Sequence, residues 1–229
     1  MMTRSLAIFI LLISTSATVC AQLTLKGGLM QHSMSTIELN IYQPTGDISL
    51  YPNTPASGSS FLVPIQFGGS FGERTYDVGV GLRFGGMKIE FDGLETKSSL
   101  LSPLFYVDYY IWEPAEFLQL GFGAVVSYSK VSFDRVYRDV PVEESTEDFD
   151  VKSKWAGLGY SVGGRVRYWL DEDWTSGIEL GIGYNSDWRK VKSLQIDNEE
   201  VAFDAMSSMY TMNTDGYYVR LSYVKVLGE

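Results

Sequence analysis

Residues 155–170 read WAGLGYSVGGRVRYWL and residues 174–185 read WTSGIELGIGYN, separated by Asp171-Glu172-Asp173. Side chains of a strand alternate between its two faces, and alternate positions here split cleanly. Leu158, Tyr160, Val162, Val166, Tyr168 and Leu170 share one face of the first arm, and Gly157, Gly159, Ser161, Gly163, Arg165 and Arg167 share the other. The second arm sets Trp174, Ile178, Leu180, Ile182 and Tyr184 against Thr175, Gly177, Glu179, Gly181, Gly183 and Asn185. The acidic tripeptide is the turn of a hairpin. A soluble sheet would give its polar face to water, but glycine cannot reach water and marks crowding instead. Glycine mixed with Arg165, Arg167 and Glu179 fits the inside of a narrow closed barrel, with the apolar, aromatic face turned to lipid.

The same pattern recurs along the chain. Leu23–Leu29, Phe61–Phe71, Tyr76–Phe84, Phe105–Ile111, Leu118–Val126 and Tyr217–Tyr223 alternate in the same way, which with the hairpin predicts eight strands. Pro64 is awkward in a central strand unless a bulge accommodates it. The parity change after Gly85-Gly86, to Met87, Ile89 and Phe91, predicts a second bulge. Short connections, Gly72–Arg74, Glu113–Glu116 and Asp171–Asp173, alternate with longer ones, Ser33–Ser60, Asp92–Ser98, Asp139–Asp150 and Ser186–Asp215. Short periplasmic turns, long extracellular loops and an even strand number belong to outer-membrane barrels. Aromatics gather toward both strand ends, Tyr76 and Tyr168 at one, Phe61, Tyr184 and Tyr217 at the other.

Residues 1–21 carry Arg4, the apolar run Leu6–Ile13 and the small-residue site before Gln22, the layout of a cleaved signal peptide. The barrel domain is then 22–229. Cys20 is the only cysteine, so after cleavage there is no disulfide framework. The formal charge of −10 argues against nucleic acid and anionic lipid as partners.

At Thr214-Asp215-Gly216-Tyr217-Tyr218-Val219-Arg220-Leu221 the last strand resembles the assembly signal of the small eight-stranded outer-membrane β-barrel family of Gram-negative bacteria. The chain departs from that family in ending Leu227-Gly228-Glu229 rather than on Phe. The resemblance implies an all-β, antiparallel, up-and-down transmembrane barrel located in the cell outer membrane.

Little in the sequence points to chemistry. His32 is the single histidine and reads as an exposed or capping residue. One histidine without a second soft ligand does not make a usual zinc site. The acidic run Asp139–Asp150 lacks calcium-loop spacing and reads as a solvated loop. No cofactor and no metal are expected, and the chain does not read as an enzyme. The constellation that remains is interior. By parity Lys26, Arg83, Arg165, Arg167 and Arg220 point inward with Asp77, Asp108 and Glu179, and these charges are expected to pair as a plug. The five cations exceed the three anions, so Tyr106, Tyr110 or Tyr218 should share the excess. Alternation continues beyond lipid through Val131, Phe133 and Tyr137 and again at Leu194–Phe203, which predicts that strands five to eight rise as a projecting sheet, its edge extended by Thr36–Tyr42. Such a rim would meet a protein partner by edge pairing. The chain is therefore read as a monomeric structural or surface-interaction protein, the alternatives being a lipid-modifying enzyme or a small gated pore.

Overall fold

The computed structural model describes residues 22–40, 56–72, 74–91, 94–142, 145–200 and 211–227; residues 1–21, expected to be a signal peptide, lie outside them. The strands are β1 (Gln22–Asn40), β2 (Ala56–Phe71), β3 (Tyr76–Phe91), β4 (Leu94–Ala115), β5 (Leu118–Val142), β6 (Ser145–Trp169), β7 (Ser176–Ile196), the two-residue β8 (Glu199–Glu200) and β9 (Thr211–Leu227). Neighbours pair antiparallel in chain order. Pairing of β1 with β9 and of β6 with β7 closes eight long strands into a barrel, with β8 only folding back on β7.

The faces follow the alternation of the sequence. Leu158, Val162, Ile182 and Val219 are exposed on the outside, whereas Lys26, Asp77, Arg167 and Glu179 are buried in the lumen. Aromatic clusters mark both ends of the outer face. Tyr76 stacks on Tyr109 at 4.7 Å beside the short turns, and Tyr160 lies 5.4 Å from Trp188 toward the other end. Amphipathic rings of this kind suit a boundary between lipid and water.

Five expectations are corrected. Most of the anticipated long loops are strand: β1 runs to Asn40, β2 begins at Ala56, β4 begins at Leu94, β5 and β6 run toward each other as far as Val142 and Ser145, and β7 reaches Ile196. In these strand ends exposed positions turn polar, as at Ser33 and Lys190, while inward positions such as Met34, Asp187, Arg189 and Met212 stay buried but mix apolar and charged side chains, so the apolar alternation fades while the backbone ladder continues. The projection also extends around the barrel, including β3–β4, where Glu90 pairs with Glu95, although the β5–β6 ribbon continues past the last β4–β5 pair at Ser98 and Phe133. Thr36–Asn40 is indeed ladder, paired with Thr211–Asp215 of β9.

No bulge sits at Gly85-Gly86, since both ladders of β3 run through it in unbroken register. Met87 and Ile89 instead continue the inward parity of Arg83, because the upper lumen is apolar rather than charged. Nor does Pro64 make a bulge toward β3; β1–β2 pairing passes over Gly28 and Leu29, between Gly27–Ile65 and Met30–Leu62. Finally, Trp174 is not on the outer face. Its backbone adopts a φ of 56°, and its ring turns in to stack on Trp169 at 6.0 Å.

Candidate functional site: the ionic lumen

Lys26 on β1 is the hub. Its Nζ lies 2.9 Å from Asp77 of β3, 2.7 Å from Asp108 of β4 and 3.3 Å from Glu179 of β7. Arg167 of β6 adds contacts to Asp77 and, at 2.7 Å, to Glu179, while Arg220 of β9 bonds the other Glu179 oxygen. Arg165 donates Nε to Asp108 at 3.0 Å and Nη1 to the Tyr218 hydroxyl at 2.8 Å. The Tyr110 hydroxyl accepts from Arg167 and donates to Glu179, and Lys26 also lies 5.1 Å from the Tyr106 ring. Tyr218 and Tyr110 thus accept hydrogen bonds from Arg165 and Arg167, and Gln66 accepts one from Arg220 at 2.9 Å. One cluster ties six strands together across the lumen, and each member is supplied by strand parity alone.

Glycine makes the room. A methyl group at Gly123 would lie 1.9 Å from Asp108 Oδ1, and one at Gly159 would lie 1.9 Å from Asp187 Oδ1. The glycine-rich inner faces of β5 and β6 are therefore the space that long charged side chains from other strands fill.

Arg83 does not join the carboxylates of the lower cluster. It sits higher and donates to Ser127 at 2.8 Å and Asn185 at 3.3 Å. There it belongs to a second network, centred on Asp187, which Arg189 meets at 2.9 Å and Asn185 at 2.7 Å. Arg189 also bonds Ser129 and Thr214. Asp187 and Arg189 lie outside the predicted inward set because the sequence from Ser186 onward reads as loop. The signal was available: they continue the inward parity of Glu179, Gly181, Gly183 and Asn185. His32 is also corrected. It is neither exposed nor a cap but buried in this upper layer, 4% exposed, because it continues the parity of Lys26 and Met30.

The ionic layers are closed at both ends. Above them Met34, Met87, Ile89, Phe133, Trp155 and Met212 fill the lumen. Below them Trp169, Val224 and Val226 pack with Phe117 and Trp174, over which Arg74 lies 5.6 Å from the Trp169 ring. Two lumenal voids, one between Gln66 and Arg220 and one beside His32 and Ser102, are each about 10 Å³, room for one water. Asp77, Asp108 and Glu179 have carboxylate oxygens close enough together to hold a metal ion. The Lys26 ammonium occupies that position, so the trio reads as the cage of an internal cation rather than a metal site.

The closed eight-stranded barrel has structural counterparts. Neisserial surface protein A superposes with a TM-score of 0.50 at 15% identity, covering 90% of this chain and 97% of its own. The outer membrane protein OprG from Pseudomonas aeruginosa gives 0.50 at 12% identity, covering 92% and 98%. The fold is that of the small outer-membrane β-barrels. At such identities the likeness concerns backbone architecture, and no family model or curated protein sequence matches the chain.

Proposed function

We propose that the chain is an integral outer-membrane protein of a Gram-negative bacterium, a sealed barrel that carries a surface-interaction rim. The observation that carries this reading is the inversion of faces. Leu158, Ile182 and Tyr217 are 60%, 56% and 68% exposed while Arg167 and Glu179 are fully buried, an arrangement that water would penalise and lipid favours. The similar solved structures, a surface protein and an outer membrane protein, support it. Apolar layers above and below two ion-paired layers favour a scaffold over a pore, and burial of the only histidine in the lumen weighs against an enzyme at the rim.

The functional part is then what projects. Ladder pairing of β5 with β6 continues from Asp134–Lys152 to Val142–Ser145, and β7 turns at Asp197-Asn198 into β8. These ribbons offer strand edges to a protein partner by β-augmentation. Deleting 192–204 and closing β7 to β9 with Asn-Gly leaves the barrel layers intact, and the shortened protein is expected to fold in detergent and to lose adhesion to cells. Undiminished adhesion by the folded, shortened protein would remove recognition from the β7–β8 side of this rim.

A further inference from the structure

One feature of the outer face is neither apolar nor aromatic. Gly86, Ser99, Ser132 and Lys154 lie side by side in consecutive ladders of β3, β4, β5 and β6, and all four are exposed. Glycine and serine leave a floor there, and the floor opens into a groove of about 480 Å³ walled by Lys154, Lys152 and Asp134. Two residues nearer the short turns, the next outward row reads Phe84, Leu101, Lys130 and Ala156, also in register. Phe84 and Leu101 are exposed. Ten residues of β3 separate Tyr76, beside the short turns, from Gly86. At about 3.3 Å per residue and a tilt of roughly 40° that is about 25 Å along the barrel axis, the height of a lipid-facing apolar band. The groove therefore stands at the edge of the band, at the end away from the short turns.

Its charge is local and positive. Lys152 is held by Asp150 at 3.0 Å, with Asp134 beside it in the ladder. Lys130 and Lys154, on the bilayer side of that pair, have no acidic partner among the described residues. Across Ala156 from Lys130 stands Lys190, also exposed. The net charge of −10, which argued against anionic lipid, averages over the whole chain and hides this row. A ligand suited to the groove has a phosphate for Lys130 and Lys154, a head small enough to sit over Gly86, Ser99 and Ser132, and acyl chains to cover Phe84 and Leu101.

We propose that this groove seats the phosphorylated headgroup of a lipid from the leaflet away from the short turns, a surface for specific lipid that deepens, and rests on, the membrane reading above. Lysines at such a surface attract anionic headgroups, and the attraction falls off within a Debye length. The test places the whole chain in nanodiscs of phosphatidylcholine containing a minor fraction of phosphatidic acid with the same acyl chains, and reads co-purifying lipid by native mass spectrometry. Phosphatidic acid is expected to be enriched over phosphatidylcholine, and Lys130→Ser with Lys154→Ser to cut the enrichment on the order of tenfold. Ser99→Trp fills the floor while keeping every charge and is expected to cut it as well. Lys225→Ser, near the short turns where Lys225 meets Thr175 and Ser176, is expected to leave it unchanged. Inorganic phosphate is expected not to displace the lipid, since the acyl chains hold it; displacement would identify a free-phosphate site and overturn the lipid assignment. Insertion without enrichment, or full enrichment in Ser99→Trp, overturns the groove alone. Failure to enter the bilayer at all overturns the membrane reading and the groove with it.

Discussion

At the residue scale the lumen is governed by two rules: a buried charge needs partners, and a long side chain needs an empty place opposite. Glu179 shows the first, since it meets Lys26, Arg167 and Arg220 at once. Glu179→Gln leaves those cations without a shared counter-charge, and unfolding titrations in micelles are expected to show a loss of about 3–5 kcal/mol. A change of less than about 1 kcal/mol would mean that the lumen is hydrated enough to screen the cluster. The neighbouring Gly163 and Gly164 show the second. A methyl at Gly163 would lie 2.3 Å from the Ile182 carbonyl and 2.7 Å from the Tyr218 hydroxyl, while one at Gly164 meets nothing within 4 Å. Gly163→Ala is therefore expected to cost about 1–3 kcal/mol as an overpacked site, and Gly164→Ala to cost little. Equal effects in the same unfolding assay would mean that the two faces of β6 are not as distinct as the ladder makes them.

At the element scale the strands need little beyond alternation, but their turns need particular residues. In the β6–β7 turn Asp171 accepts hydrogen bonds from the Thr175 amide at 2.6 Å and the Thr175 hydroxyl at 2.8 Å. Desolvation pushes its carboxyl up, but these bonds and those to Ser176 outweigh it and hold the group at about 2, below the ordinary aspartate value of about 3.9. A carboxylate depressed in the folded state stabilises above its unfolded value and loses that contribution as pH falls through the folded one. Protection of the Thr175 amide is thus expected to persist at neutral pH and to fall between about pH 4 and about pH 2. In Asp171→Asn that pH dependence should vanish; if hydrogen exchange shows the same profile in both proteins, another group controls the turn.

At the scale of the whole molecule the lumen is layered, apolar at each end and ionic between. No single strand encodes that layering; it arises when eight registers close on one another. A barrel filled in this way is expected to give no large, steady conductance in planar bilayers. Reproducible open channels in the wild-type protein would overturn the sealed reading.

The sequence by itself determined the secondary structure type, the strand count, the two faces of each strand and the eight inward charges Lys26, Asp77, Arg83, Asp108, Arg165, Arg167, Glu179 and Arg220. All of these follow from a period of two, which is a local property of an extended chain. Parity lost its grip where the apolar signal faded or changed meaning. The rim of β5, β7 and β1 is legible as continued alternation, but its extent on β3, β4 and β6, the inward Met87 and Ile89, and the buried His32, Asp187 and Arg189 are not, for that reason. Only the tertiary structure decided which charges meet, placing Lys26 among three carboxylates and Arg83 with Asn185 and Ser127 instead. The physical reason is register: parity says that a side chain points inward, but the height at which it enters the lumen depends on how far each strand has slid against its neighbours when the barrel closes.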